Sequence, residues 1–223
     1  MNPMPKVSII IVDFKKADRV IRNVESIANQ NVNFDIEVIV IDNSCDSVNA
    51  DKLRTLKAYG NAVKVYINSK NLGYIRANNQ GVKLATSKYL MIINPDIIWH
   101  KSDTLQKMVD FMEKYPRIGI AGPRQINEND QNVATTIRAF PKLSLQIARR
   151  TWLRNVPGIK SLVEYDEMQH LDYNQTQTVD WLQSSFWIMR KDLWQNLAAL
   201  MKITLFLCLT RIYVFVPGKR ATK

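Results

Sequence analysis

The sequence predicts an α/β fold built on a mostly parallel sheet with helices on both faces. Three observations predict it. β-Branched runs alternate with segments of helical spacing through residues 6–123. The runs are nearly continuous rather than alternating, as strands buried on both faces should be. Polar residues stand directly after the first four runs, at the strand ends where ligands of parallel sheets sit.

The elements follow in order. Val7 to Val12 is the first strand. Ala17 to Asn29 carries Val20, Ile21, Val24, Ile27 and Ala28 at helical spacing. Ile36 to Ile41 is the second strand and runs into Asp42-Asn43-Ser44, which is turn chemistry. Asp51 to Tyr59 is expected to be a helix closed by Gly60. Val63 to Ile67 is a third strand, and Tyr74 to Ala85 a helix with Ala77, Gly81, Leu84 and Ala85 as small or apolar contacts. Tyr89 to Ile93 is a fourth strand, stopped by Asn94-Pro95. Thr104 to Tyr115 is helical, and Ile118 to Ala121 is a short strand ended by Gly122-Pro123.

From about Phe140 to Thr178 the pattern fades into an excursion. It includes an amphipathic stretch, Leu143 to Leu153, with Arg149, Arg150 and Arg154, and an acidic run from Glu164 to Glu167. Val179 to Met189 returns to strand-like sequence, and Lys191 to Leu197 starts a helix.

Composition bounds the function. At 223 residues, 46% hydrophobic and 23% charged, the chain belongs to the ordinary globular class and is most simply one domain. No apolar run opens it, so no signal peptide is expected. Cys45 and Cys208 lie far apart without spaced partners, which argues against a disulfide framework or a zinc site and suits a reducing cytoplasm. The net charge of +11 suits an anionic partner or simply marks a solvated basic face. No run of Lys/Arg exceeds two and no nucleic-acid motif is present, so no nucleic-acid partner is expected.

The residues after the strands carry the chemistry. A carboxylate at Asp42 can accept a hydrogen bond from a pyrimidine N–H, or simply cap a turn. Asp96, in Ile-Asn-Pro-Asp-Ile, can share Mg²⁺ or Mn²⁺ with phosphate oxygens, or again be a turn aspartate. Asn71-Leu72-Gly73-Tyr74 with Arg76 feeds a helix whose backbone N–H groups and guanidinium can face phosphates; the alternative is an ordinary helix start. Trp181, Phe186 and Trp187 are core residues more often than a sugar platform.

Taken together these pieces are far more specific. The first two strands, the second ending in Asp42-Asn43-Ser44, precede Asn71-Leu72-Gly73-Tyr74 with Asn78-Asn79-Gln80-Gly81. Asn94-Pro95-Asp96, Gly119 to Pro123, Arg138 to Pro141 and Val179-Asp180-Trp181 with Phe186 come next. In this order and spacing the chain resembles the rhamnosyltransferase-like branch of family 2 glycosyltransferases over roughly residues 6–197. The resemblance implies a GT-A (Rossmann-like) fold and an inverting transfer from a UDP- or dTDP-linked sugar to a hydroxyl of a glycan or lipid-linked acceptor. The setting it implies is bacterial surface polysaccharide (O-antigen or capsule) synthesis, in the cytoplasm or peripherally at the inner membrane face. Asp13, Asp42, Asn71, Gly73, Arg76 and Asn94 are the expected substrate-binding residues. Asp96, in the place of an Asp-x-Asp signature, is the expected ligand of Mg²⁺ or Mn²⁺.

Two departures matter. The Asn/Thr-Tyr-Asn that the family carries after the first strand is Asp13-Phe14-Lys15. The Gly-Phe-Asp-Glu segment and the Glu-Asp-x-Asp motif with its general base, expected just beyond Leu197, are absent. Residues 198–223 hold Lys202, Arg211, Lys219, Arg220 and Lys223 but no Asp or Glu, and so supply 5 of the 11 net positive charges. Their apolar runs, Leu205 to Leu209 and Ile212 to Val216, are too short to span a bilayer. Shifted by one nucleotide, and with codons chosen among the allowed synonyms, the tail from Ala198 can spell GFDENYF and, further on, M-x-DTD-x-C-x-RAWQAGYK, which resembles the missing segments. The expected organisation is therefore a glycosyltransferase domain over 1–197, with a nucleotide-sugar half at 6–123 and a partial acceptor half at 124–197, then an out-of-frame tail at 198–223. The competing reading is a catalytically inactive chain that at most binds nucleotide sugar. A nucleotidyltransferase would need an early Gly-rich loop, which Asp13-Phe14-Lys15-Lys16 does not provide.

Overall fold

A computed structural model describes residues 6–127, 129, 131–132, 137–138, 143–166, 171–172, 174–182, 185–198 and 212–215. It contains two compact units, residues 1–114 with 184–199 and residues 115–183 with 200–223. The division differs from the two halves expected from the sequence, because segment 184–199 returns to the first unit.

The first unit holds β1 (Val7–Asp13), α1 (Ala17–Ala28), β2 (Ile36–Asp42), α2 (Ser47–Arg54), β3 (Val63–Ile67), α3 (Tyr74–Leu84), β4 (Tyr89–Ile93) and α4 (Thr104–Lys114). Four strands of its sheet, in the order β3-β2-β1-β4, are parallel. Every residue of β1 and β4 is buried. Successive side chains of a strand point to opposite faces, so full burial means that both faces are covered. Each such Ile or Leu contributes about 1.5–3 kcal/mol. α3 lies directly on β1 and β2 through Gly81, where an added Cβ would stand 2.5 Å from Ile10 Cγ2.

The amino end of the sheet has its own polar lock. Glu37 is almost fully buried and accepts from Ser8 Oγ at 2.6 Å, Lys64 Nζ at 2.8 Å and the Thr86 N–H at 3.1 Å. Burial alone pushes its carboxyl upward, but the bonds from Lys64, Ser8 and Thr86 together hold it below the ordinary value.

α2 begins at Ser47, not Asp51. Asp46 accepts from the Asn49 N–H at 3.1 Å and caps it. The segment Thr55–Ala62 continues as a 3₁₀ turn, with Gly60 at φ +62°.

Sequence expected one strand-like stretch over Val179 to Met189. The structure divides it into β7 (Gln177–Val179), β8 (Trp181–Leu182) and β9 (Phe186–Arg190), because Asp180 and the polar run 183–185 interrupt the apolar pattern. β9 belongs to the first unit, runs antiparallel to β4, and is followed by α7 (Lys191–Ala198). Phe186 and Trp187 are core residues: Phe186 meets Trp99 edge-on at 4.7 Å, and Trp187 stacks on Trp194 at 6.0 Å. The Trp181 side chain and residues 139–141 of the motif lie outside the described residues.

In the second unit β5 (Ile120–Pro123) pairs in parallel with β10 (Ile212–Phe215), which pairs antiparallel with β7. The tail thus contributes a strand. β6 (Ile137–Arg138) pairs with β8. The excursion folds as α5 (Leu143–Arg149), a 3₁₀ turn at Trp152–Asn155, and α6 (Ile159–Asp166), which contact one another. Arg149 pairs with the buried Asp166, while Ile147, Trp152, Leu162 and Tyr165 remain more than half exposed.

Candidate functional site

Because β1 and β2 are parallel and in register, Asp13 and Asp42 sit side by side at the carboxyl edge. Both are fully buried. A pair of carboxylates in that position needs donors, and Asn49, on the inner face of α2, reaches both. Its Nδ2 lies 2.6 Å from Asp13 Oδ2, 3.3 Å from Asp42 Oδ1 and 3.1 Å from Ser44 Oγ, while its Oδ1 accepts from the Ala17 N–H. The Lys16 N–H donates to Asp13 Oδ1 at 3.0 Å, and the Ser44 N–H to Asp42 Oδ1 at 2.9 Å.

These bonds do not balance the burial. Desolvation raises the Asp13 carboxyl above its ordinary value and the Asp42 charge adds to it, against the bonds from Asn49, Lys16 and Ser44. Asp42 Oδ2 is buried with no hydrogen-bond partner.

The adjoining loops carry strain. Lys15 (φ +57°) and Cys45 (φ +54°) hold left-handed backbones, and each follows one of these two strands. Such a residue costs about 1–3 kcal/mol and persists only where its surroundings hold it. Here the Lys15 N–H is held by Ser44 Oγ at 2.7 Å.

The third loop is tied to the second. Asn43 Nδ2 donates to Asn71 Oδ1 at 2.6 Å, and Asn43 Oδ1 accepts from the Leu72 N–H at 2.9 Å. The Gly73 N–H donates to Asn71 Oδ1 at 2.8 Å. The Leu72 and Gly73 N–H groups, expected to face phosphates, are therefore consumed within the loop. Gly73, at φ +76°, starts α3. Arg76 lines an open groove of about 570 Å³ with Tyr66, Leu72, Asn79, Gln80, Lys83 and Leu84.

After β4, the Asn94 main chain is gripped twice: its carbonyl accepts from Asn23 Nδ2 at 2.9 Å, and its N–H donates to the Ser185 carbonyl at 2.8 Å. This grip presents Asp96, part-exposed, with Arg19 Nη1 at 3.4 Å and Lys16 Nζ at 3.8 Å. Among the described residues no three His, Cys, Asp or Glu side chains gather as a ligand set. Asp96 fits a hard divalent ion as one oxygen ligand, with phosphate and water completing the shell.

A protein-family model, Glycosyl transferase family 2, matches residues 8–196. The chain belongs to glycosyl transferase family 2. Among the relatives of this family 2 chain, the poly(ribitol-phosphate) beta-N-acetylglucosaminyltransferase TarP of Staphylococcus aureus is 29% identical over 100 residues, 44% of this chain and 30% of that protein. The amylovoran biosynthesis glycosyltransferase AmsB of Erwinia amylovora is 28% identical over 109 residues, 48% of this chain and 36% of that protein. The matched stretches thus span about a third of these relatives' length. The mannosyltransferase PcManGT of Pyrobaculum calidifontis, solved with GDP-Man and Mn²⁺, superposes with a TM-score of 0.59 at 15% identity over 97% of this chain and 56% of that one. This likeness shows the fold, a mostly parallel mixed sheet with helices of GT-A type.

The sequence pattern singled out the strand-end residues that gather at this edge of the family 2 chain but not Asn49, Lys16 and Arg19, which stand beside them. Asn49 lies within α2, where nothing in the local pattern separates it from a solvated helix residue. Lys16 and Arg19 look like ordinary surface cations until the fold sets them against Asp96.

Proposed function

We propose that this chain belongs to a rhamnosyltransferase-like glycosyltransferase. It moves a sugar with inversion from a UDP- or dTDP-linked donor to a hydroxyl of a glycan or lipid-linked acceptor in surface polysaccharide (O-antigen or capsule) assembly. The carrying observation is the registered pair Asp13–Asp42, with the unpartnered Asp42 Oδ2, at the edge where Asp96 also stands. Family membership and the names of TarP and AmsB support the polysaccharide setting.

In this reading Asp42 Oδ2 accepts the N–H of the base. That oxygen is buried, so the loop after β2 shifts to admit the ring. Asn49, itself held by Asp13, orients the Asp42 carboxylate. Asn71, Gly73 and Arg76 border the donor, and Asn94 sets the turn that aims Asp96. An ion held by Asp96, Mg²⁺ or Mn²⁺, supplies positive charge against the departing diphosphate.

Inversion needs a general base on the acceptor hydroxyl. The absence of Glu-Asp-x-Asp and the acid-free tail favour a second reading. On it, residues 198–223 are read out of frame, and the chain binds donor without turning it over. The inner face of the cytoplasmic membrane is the proposed working place. No helix among the described residues is long and apolar enough to cross a membrane.

Calorimetry with UDP and dTDP tests the binding half. Asp42→Ala should weaken binding with or without metal, and Asp96→Ala should mainly remove the metal dependence. Unchanged binding in both variants would sink the assignment. Transfer of radiolabelled sugar, set beside binding, separates an active chain from a silent one.

A further inference from the structure

Asp96 is one carboxylate facing two cations. Arg19 Nη1 stands 3.4 Å and Lys16 Nζ 3.8 Å from its Oδ2, and side-chain exposures of 41%, 52% and 46% leave all three reachable from solvent. The trio carries a surplus of one positive charge, with Lys15 next to it in sequence. Neither cation has arrived there by default. The left-handed backbone of Lys15 turns the chain so that the Lys16 N–H meets Asp13 Oδ1 at 3.0 Å. Arg19 lies in the first turn of α1, where the helix dipole opposes a cation. The other charged side chain of that turn, Asp18, is spent on Lys52 at 2.7 Å. Lys16, whose N–H is tied to Asp13, and Arg19 thus form a pair of cations short of one anion.

The diphosphate of a sugar nucleotide brings about two negative charges. We propose that Lys16 and Arg19 form a cationic clamp for the diphosphate of the donor, exchanging Asp96 for phosphate oxygens when the nucleotide binds. The clamp rests on the nucleotide-sugar reading of this edge and deepens it. It carries part of the leaving-group charge on the chain itself and makes donor binding only partly dependent on a divalent ion. The exchange also frees the Asp96 carboxylate. Ion and clamp therefore substitute for each other: weakening the clamp should strengthen the call for metal.

The test is calorimetric titration of UDP, dTDP and GDP, and of the matching nucleosides, in EDTA and in Mn²⁺. At least one diphosphate should bind in EDTA, more tightly than its nucleoside. Lys16→Gln and Arg19→Gln should each lower that affinity roughly tenfold, the scale of one hydrogen bond to a charged group. Nucleoside affinity should stay within about twofold, and Lys16→Arg should keep the diphosphate affinity. In the double variant Mn²⁺ should restore part of the loss. Diphosphate binding that vanishes from the unaltered chain in EDTA, or that survives intact in the double variant, overturns the clamp. So does an equal loss of diphosphate and nucleoside, the mark of a purely structural role. Absence of binding by every nucleotide and nucleoside, with and without Mn²⁺, overturns the nucleotide-sugar reading itself.

Discussion

Asn49 reaches from α2 to place its amide 2.6 Å from Asp13 Oδ2. That bond joins the second helix to the end of the first strand and lets two buried carboxylates lie side by side. It relieves the pair only in part, and the residual cost appears in the direction of the Asp13 titration.

Asp13 should make stability pH-dependent in a defined sense. Its folded carboxyl titrates above the ordinary value of 3.8, so between that value and the raised one the folded state binds more protons than the unfolded. Stability then falls as pH rises through this window. Asp13→Asn removes the titration. Its melting temperature, relative to the unaltered chain, should therefore improve as pH rises through this window and level off above it, whatever fixed offset the substitution brings. Parallel melting curves of the two proteins between pH 4 and pH 7, with a constant gap, would refute the assignment.

Gly81→Ala should destabilise the first unit. The added Cβ would lie 2.5 Å from Cγ2 of the fully buried Ile10, a stiff β-branched side chain. Overpacking of this kind costs about 1–3 kcal/mol, of which the better helix propensity of alanine returns up to about 1 kcal/mol. Urea denaturation should show a lower midpoint with an unchanged slope. Gly81→Ala together with Ile10→Val should recover part of the loss.

Binding to anionic vesicles should be weak and salt-sensitive. Arg150 and Arg154 are exposed between α5 and α6, in a segment that also exposes Ile147, Trp152, Leu162 and Tyr165. Juxtaposed basic residues are worth about 1 kcal/mol each near an anionic surface. Trp152→Ala and Arg150→Ala with Arg154→Ala should each reduce co-sedimentation with phosphatidylserine vesicles at low salt. Binding that persists undiminished at high salt, or that never appears at low salt, contradicts the prediction. Arg149 should contribute little, because it is engaged by Asp166.

Restoring the reading frame by one nucleotide near codon 198 should rescue transfer. On the out-of-frame reading, the restored segment would carry Gly-Phe-Asp-Glu and an Asp-Thr-Asp motif in place of the acid-free tail. Turnover of radiolabelled donor should rise from near background to a measurable rate, while donor binding changes little. A gene whose neighbouring frame lacks the acidic motif ends this idea, and so does robust turnover by the chain as it stands.

The alternation of strand and helix through residue 123 was legible in sequence, because burial on both faces forces β-branched runs and one-sided burial forces helical spacing. β3, β4 and the start of α3 fall where the pattern puts them. The strand-end residues were legible for the same reason: Asp13, Asp42 and Asn94-Pro95-Asp96 stand where an apolar run stops. The start of α2 was not, since a cap depends on backbone angles at Asp46 that the surrounding turn chemistry masks. Nor was the division of Val179 to Met189 into three strands, since an apolar residue says that it is buried but not against which strand.

The family, the parallel core of the first unit and the residues that end its strands can be read along the chain. All of these follow from local pattern and order along the chain. Which of those residues meet emerged with the folded chain. The fold closed the Leu72 and Gly73 N–H groups off with Asn43 and Asn71, turned Asn49 into the donor that two buried carboxylates share, and set Lys16 and Arg19 against Asp96. Lys16 and Asp96 are 80 positions apart in the chain. Their encounter depends on the parallel pairing of β1 with β4, a relationship between strands that no local pattern encodes.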